Sequence, residues 1–200
     1  MANRSPNRRG IDSRSKLLEA GMAEFHQRGY AATGVDVVAR RAQVPKGSFY
    51  NHFGSKQAFV AEVVDRYFER HLAKLREFLV DNNSSPMTRL RSYFDERTAF
   101  FQGLGGQRGC MMGNLTLEAA DESDLLRKHL AEHFATWSGM LAACISEAQT
   151  AGEIKSTIEA SVLADFVLNS WEGALLRMKS ERSIKPLEDA KAIIFGLVLS

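Results

Sequence analysis

The strongest constraint on the fold is a helical spacing of apolar residues that recurs along almost all of the 200-residue chain. Leu18, Met22 and Phe25 follow one another at intervals of four and three, which places them on one face of an α-helix. A longer stripe of the same kind runs from Val60 to Leu79. No stretch has the two-residue alternation of a half-buried strand, and no internal repeat is present. The chain is therefore predicted to be all-α, with about nine helices.

Glycine, proline and clusters of short polar residues mark the expected helix ends. Gly29 closes the first helix, Val44 and Pro45 interrupt the second, and residues 81–86 form a polar loop. The glycine-rich residues 103–106 separate two later helices. The expected helices span about residues 12–28, 35–42, 46–52, 56–80, 90–101, 110–120, 124–150, 158–181 and 187–199.

Charge is distributed unevenly, although the net charge is only +2. Residues 1–56 hold ten basic and four acidic residues, whereas residues 57–200 hold sixteen basic and twenty acidic residues. A basic amino-terminal segment on an acidic body suggests a polyanionic partner at that end alone. A solvated basic face is the alternative, and charge by itself does not separate the two.

Cysteine use and hydropathy point away from a secreted or membrane protein. The two cysteines, Cys110 and Cys144, have neither a CxxC nor a zinc-ribbon spacing and make no disulfide framework. Residues 1–10 are polar and basic, without the apolar core of a signal peptide. No apolar run reaches the roughly 18–20 residues that cross a bilayer. We therefore expect a cytoplasmic protein with no membrane partner.

The segment VPKGSFYNHFGSK, residues 44–56, has the composition of a DNA-reading helix. A helix at 35–42, a short break, and a helix from Lys46 follow the plan of a helix-turn-helix, whose second helix enters the major groove. Gly47 and Ser48 are small enough for the backbone to approach a duplex closely, and Lys46 can neutralise a phosphate. The hydrogen-bonding tips on this helix belong to Tyr50, Asn51 and His52.

These residues resemble the signature of the tetracycline-repressor (TetR) family of bacterial regulators. The family pattern is a threonine, a helix and then GVxxGxxYxHFxSKExL, and this chain has Thr33 followed by VDVVARRAQVPKGSFYNHFGSKQAF. The resemblance covers about residues 12–60. It departs from the pattern at Gln43, where the family has glycine, and at Gln57, where the family has glutamate. The matching positions are Val44, Gly47, Tyr50, His52, Phe53, Ser55, Lys56 and Phe59.

The resemblance implies a DNA-binding domain over residues 1–57 and an effector-binding and dimerisation domain over residues 58–200. Ser48 and Asn51 face the groove in this reading and are the candidates for reading bases. Phe49 and Phe53 are expected in the core, and His52 packed on the first helix is an alternative to a DNA contact. The resemblance implies contacts to double-stranded operator DNA, mostly at phosphates, by Thr33, Lys46, Tyr50, His52 and Lys56. Candidates for the flanking backbone or minor groove are Arg8, Arg9 and Arg14.

The effector site has to be argued from residues, because this part of the family diverges widely. An apolar cavity with a few polar groups among helices suits a small organic ligand. Ordinary core is the alternative for any single aromatic residue. The candidate effector-binding residues are Tyr93, Phe94, Cys110, Met111, Asn114, His133, Trp137 and Trp171.

Cys110 is also a candidate sensor thiol. The segment RGCMMGNLTLE resembles the GCLxxNL segment of a subgroup of the family, some of whose members respond to electrophiles or oxidants through a cysteine. A position at a helix N-terminus is expected to lower the thiol pKa, and Arg108 adds positive charge nearby. A small buried residue at a helix start is the alternative.

Nothing in the sequence indicates an enzyme, a cofactor or a metal centre. His129 and His133 stand four residues apart, but two ligands do not complete a metal site. The glycine-rich residues 103–109 follow a helix and lack the Lys-Ser pair of a phosphate-binding loop. A helical small-molecule carrier is a further alternative, although a carrier has no use for Lys46, Tyr50 and Lys56 beside a basic amino terminus.

The last two predicted helices carry apolar faces too wide for one neighbouring layer to cover. Val162 and Phe166 lie on one flank of the first of them, whereas Leu163 and Val167 lie on another. We expect a homodimer through these two helices, and a central place in a monomer is the alternative. The predicted function is a ligand-responsive transcriptional regulator, a repressor released from a palindromic operator by a small organic or electrophilic effector.

Overall fold

A computed structural model describes residues 8–80 and 83–200, with side chains from Asp12 onward. Nine α-helices follow one another in these ranges, and no strand lies among the described residues. They are α1 (Arg8–Arg28), α2 (Val35–Ala42), α3 (Lys46–Phe53), α4 (Lys56–Leu79), α5 (Pro86–Gly103), α6 (Met111–Ala119), α7 (Asp124–Thr150), α8 (Ala160–Glu181) and α9 (Lys185–Ile193). The prediction of an all-α fold with about nine helices is confirmed.

Most predicted helix ends lie within two residues of the observed ones. Three ends differ more: α1 and α5 each begin four residues earlier than expected, and α9 ends at Ile193. A short π-helical turn, Ile194–Val198, continues α9, and the amide of Leu199 donates to the carbonyl oxygen of Ile194 at 2.8 Å. Residues 81 and 82 of the expected polar loop lie outside the described residues.

The chain divides into two compact units. The smaller, which we call the head unit, comprises residues 1–68 and 114–131. The larger, which we call the body unit, comprises residues 69–113 and 132–200. The division falls within α4, α6 and α7, so each of these helices contributes residues to both units.

The core of the head unit is built around three phenylalanine rings. The Phe59 ring centroid lies 4.8 Å from that of Phe49 and 4.7 Å from that of Phe53. Phe25 on α1 adds a fourth ring at 6.0 Å from Phe59. Aromatic pairs at these separations contribute beyond the area that they bury. They fix α3 against α1 and the start of α4.

The body unit buries one face of each of its last two helices and leaves the other exposed. On α8, Leu163, Val167 and Trp171 are fully buried, whereas Val162 and Phe166 are about half exposed. On the carboxy-terminal segment, Ile194 is buried but Leu197 is 72% exposed. The apolar surface of these helices is therefore wider than the body unit itself covers. None of the described helices combines the length and the hydropathy needed to cross a bilayer.

Candidate functional site

The turn between α2 and α3 has the geometry of a helix-turn-helix. Gln43 ends α2 in the left-handed conformation, with φ 54° and ψ 40°, and its amide donates to the carbonyl oxygens of Ala39 and Arg40. Glycine adopts this conformation without the steric cost that a side chain pays, which explains the glycine of the family pattern. Pro45 then precedes α3 with an extended backbone, ψ 140°. The chain therefore turns sharply, and α3 begins at Lys46.

The outward face of α3 carries the residues expected to meet DNA. Lys46, Gly47 and Asn51 are exposed, and Tyr50 is 48% exposed. No atom lies within 4 Å of the point where a Cβ of Gly47 would stand, so this position opens onto solvent. A groove of about 400 Å³ beside α3 brings together Ser48, Asn51 and His52 with residues of α1 and of the turn, namely Asp12, Ser13, Lys16, Gln43, Val44 and Pro45.

Several polar groups on this surface have partners within the head unit. The Lys46 ammonium lies 2.9 Å from a carboxylate oxygen of Asp36, and this hydrogen bond raises the lysine pKa. The His52 Nε2 atom lies 2.8 Å from the hydroxyl of Ser13 on α1. Arg14 pairs with Glu62 and lies over the Phe53 ring, 5.3 Å from its centroid. The side chains of residues 8 and 9, candidates for flanking contacts, lie outside the described residues.

Thr33 and Lys56 both have partners within the head unit. The Thr33 side chain is fully buried, and its hydroxyl points to the carbonyl oxygen of Glu24 at 3.5 Å. In this conformation the side chain links the start of α2 to the end of α1, and the contact of Thr33 with phosphate stays a prediction. Lys56 is half-buried, and its ammonium donates to the carbonyl oxygen of Tyr30 at 2.7 Å.

Tyr93, a candidate effector residue of the body unit, makes a buried polar contact with His71. The Tyr93 hydroxyl lies 3.2 Å from the Nε2 atom of His71, and the His71 ring lies 4.1 Å from the Trp137 ring, between centroids. Burial, with a contribution from Arg97, lowers the His71 pKa to about 3. His71 is therefore a neutral imidazole at physiological pH. Burial also raises the pKa of Tyr93, which stays protonated.

A second group of candidates surrounds a buried carboxylate. The Phe94 and Trp171 ring centroids lie 5.0 Å apart, and the residue after Trp171 is Glu172. A Cβ on Gly113 would stand 2.5 Å from the Glu172 Oε2 atom and 3.8 Å from the Cβ of Cys110, so the carboxylate and the thiol meet across the glycine. Burial raises the Glu172 pKa to about 7. Two buried polar atoms here, Trp171 Nε1 and Glu172 Oε1, have no hydrogen-bond partner among the described residues.

The environment of Cys110 reverses the expected shift of its pKa. The residue is buried and immediately precedes α6, yet burial raises the thiol pKa well above its usual value, and the Glu172 carboxylate raises it further. The backbone amides of Met112 and Gly113 act in the opposite direction but do not prevail. The expectation of a lowered pKa is wrong, because it counted the helix N-terminus and omitted burial and a neighbouring carboxylate.

The remaining effector candidates do not all lie in the same unit. Met111 is fully buried in the body unit, where His133 is half-buried. Asn114 is half-buried and belongs to the head unit. His129, also in the head unit, hydrogen-bonds with Asp65 at 2.9 Å.

Two residues of the body unit that sequence reasoning missed are His71 and Glu172. Each is a single polar residue on an apolar helix face, one turn from Leu75 and next to Trp171 respectively. That interruption of an apolar stripe is the signal that identifies such residues, because a buried polar group costs free energy unless it has a use or a partner.

The head unit packs α3 on a buried aromatic core and exposes Lys46, Tyr50 and Asn51 on its outer face, whereas the body unit is built from other helices. Together these features define a helix-turn-helix DNA-binding regulator, with α3 as its recognition helix. Residues 17–63 match the family described as bacterial regulatory proteins, tetR family, and residues 86–194 match the tetracyclin repressor-like C-terminal domain. The chain belongs to the TetR family of transcriptional regulators, which are not enzymes.

Relatives of known name share nearly the full length of the chain. The HTH-type transcriptional repressor DhaR of Mycobacterium sp. (strain GP1) is 39% identical over 186 residues, which cover 93% of this chain and 92% of that protein. The crystal structure of a regulatory protein TetR from Rhodobacter sphaeroides has a TM-score of 0.86 and 31% identity, covering 91% of this chain and 96% of that one. The reduced form of Escherichia coli NemR has a TM-score of 0.86 and 28% identity, covering 92% and 96%.

Proposed function

We propose that this protein is a homodimeric repressor that binds a palindromic operator through α3 of each copy and is released by a small organic effector. Residues 1–57 would read the DNA, and residues 58–200 would bind the effector and form the dimer. The observation that carries the proposal is the exposed face of α3, where Lys46, Tyr50 and Asn51 surround an open glycine position. The name of the relative DhaR, a transcriptional repressor, supports repression. Such a protein would act in the cytoplasm.

The exposed apolar face of the carboxy-terminal helices supports the homodimer. Phe166, Leu176, Ile193 and Leu197 are each at least half exposed, although they lie on helices whose opposite faces are fully buried. A second copy of this chain is the occupant that we propose, because two identical faces bury each other across a two-fold axis. The same axis would place two α3 helices on successive major grooves, about 34–36 Å apart.

The buried polar groups of the body unit support a small organic effector. The indole N–H of Trp171 can only donate a hydrogen bond, and the Glu172 carboxyl can accept one or, when protonated, donate one. Polar atoms that lack a partner in a closed interior are costly, and a ligand that pairs with them recovers that cost. An effector that binds one arrangement of the chain better than another would shift the population away from the DNA-binding form.

A covalent thiol mechanism at Cys110 is the second candidate. One similar structure is named as the reduced form of Escherichia coli NemR, so a redox state is specified for that relative. This supports a thiol mechanism as a candidate. The buried, protonated thiol argues for a reversible ligand, because the thiolate is the nucleophile. Under the covalent mechanism, Cys110→Ser would bind operator normally but would no longer be released by an enal such as acrolein. Under the reversible mechanism, the variant would behave as the wild type does.

DNA binding is tested with a duplex enriched from a random-sequence library by the wild-type protein. Lys46→Ala should weaken binding and reduce the slope of log affinity against log salt by about 0.9, the value for one phosphate contact. Lys74→Ala is the matched control, because Lys74 is also a partly exposed lysine paired with a carboxylate, that of Glu77. Equal effects of the two substitutions, or no enriched duplex, would contradict the proposal.

A further inference from the structure

A carboxylate from the last turn of α6 holds the backbone turn that follows α1. The Glu118 Oε2 atom accepts hydrogen bonds from the amide of Tyr30 at 2.7 Å and from the amide of Ala31 at 3.2 Å. Both residues lie in the turn between α1 and α2, and all of these residues belong to the head unit. A charged acceptor on backbone amides makes stronger hydrogen bonds than a neutral one.

Gly29 makes room for this carboxylate. Its φ is +81°, in the left-handed region, and a Cβ at this position would stand 2.6 Å from the Glu118 Oε2 atom. Even a methyl group would therefore push the carboxylate away from the two amides. The turn and the acidic side chain fit each other at contact distance.

The turn between α1 and α2 also holds Lys56, the first residue of α4, which follows the recognition helix α3. The Lys56 ammonium donates to the carbonyl oxygen of Tyr30 and lies 4.0 Å from the centroid of its ring. The Tyr30 backbone therefore accepts from Lys56 on one side and donates to Glu118 on the other. An extended path of contacts joins the end of α6 to a lysine expected at the DNA phosphates.

We propose that Glu118 is a positioning residue for operator binding, which holds the turn after α1, and through Tyr30 also Lys56, in the geometry that fits DNA. The inference rests on the proposed DNA-binding function. It also gives α6 a way to influence the head, since the same nine-residue helix starts at Met111, a candidate effector residue. Any change that draws Glu118 off the turn would loosen Lys56.

Geometry and charge predict opposite effects for this residue. Glu118 is an acid close to a surface that would meet DNA, so simple electrostatics predicts that its removal tightens binding. A positioning role predicts that its removal weakens binding, because the turn and Lys56 lose their fixed place. The direction of the change therefore separates the two explanations.

Two substitutions isolate the reach of the side chain from its charge. Glu118→Asp keeps the charge but is one methylene too short for the amides, and it should weaken binding to the enriched duplex about fivefold or more. Glu118→Gln keeps an acceptor oxygen at the same reach, and it should bind within about twofold of the wild type or more tightly. Glu122→Asp and Glu122→Gln are matched controls, because exposed Glu122 acts on Lys56 through charge alone. Both should bind within about twofold of the wild type.

Amide hydrogen exchange gives a readout that does not depend on DNA. Exchange at Tyr30 and Ala31 should be faster in Glu118→Asp and unchanged in Glu118→Gln, while the other head amides keep their protection. Wild-type affinity in Glu118→Asp would overturn the inference. An equal loss of affinity in both variants would also overturn it, because Glu118→Gln keeps the reach of the side chain and should not share the loss of Glu118→Asp. If the controls and the wild type bind while Glu118→Asp is unaffected, operator binding stands and only the role of Glu118 falls.

Discussion

Replacing Glu172 by glutamine should remove a pH-dependent loss of stability that this buried carboxylate imposes. The Glu172 Oε1 atom is buried and has no hydrogen-bond partner among the described residues. Burial raises the pKa to about 7 from the ordinary 4.5, and this effect outweighs a hydrogen bond with Cys110 that acts in the opposite direction. The folded protein therefore holds a proton that the unfolded chain releases between these two pH values.

The magnitude follows from the two pKa values. Below pH 4.5 the carboxyl is protonated in both states and costs no stability. As the pH rises to about 7, the unfolded chain ionises first and stability falls by about 1.4 kcal/mol for each pH unit, to a total of about 3 kcal/mol. Above pH 7 the loss is complete and stays constant. Glutamine does not titrate, so its own packing cost is the same at every pH.

Urea unfolding of both proteins at pH 4.5 and pH 8, followed by tryptophan fluorescence at one protein concentration, measures this effect. The difference in unfolding free energy, variant minus wild type, should be about 3 kcal/mol more positive at pH 8 than at pH 4.5. Glu69→Gln, an exposed acid of the same unit, controls for the loss of one carboxylate. A difference for Glu172→Gln that is the same at both pH values would refute the reasoning.

Three further predictions concern the recognition turn, the dimer and the thiol. Gln43→Gly should raise the unfolding free energy by up to about 1 kcal/mol in urea titration, because glycine relieves the left-handed conformation, and a decrease would contradict this. Phe166→Asp should convert the dimer to a folded monomer, because it puts a charge on the exposed apolar face of α8, and sedimentation velocity measures this change. An unchanged sedimentation coefficient would mean that the dimer interface lies on another surface. Cys110 should react with N-ethylmaleimide at least about tenfold more slowly in the native protein than in urea, and equal rates would contradict a buried, protonated thiol.

The helices and the recognition motif could be predicted because both depend on residues that are close together in the sequence. A stripe such as Leu18, Met22 and Phe25 requires only that the residues share a helix face, and all three are buried. Phe49 and Phe53 could likewise be assigned to the core, because the spacing of α3 turns them away from Tyr50 and Asn51. The family signature supplied the other residues that we propose to contact DNA.

The polar contacts inside the head unit and the body unit could not be predicted, because they join residues that are far apart in the sequence. Glu118 and Tyr30 are 88 residues apart, and His71 and Tyr93 are 22 residues apart. The direction of the Cys110 pKa shift could not be predicted for the same reason, because burial among distant helices raises this pKa and Glu172, two helices further along the chain, raises it further. Periodicity identifies which face of a helix is buried, but it does not identify which polar residue meets which inside the fold.

Chemical protection of guanine N7 on the enriched duplex tests the central claim most directly, because N7 lies in the major groove. If α3 of each of two copies enters that groove, the protein should protect two patches whose centres are about 10–10.5 base pairs apart, or a small departure from that spacing. Protection in a single patch, or binding that leaves every guanine N7 reactive, would contradict the account.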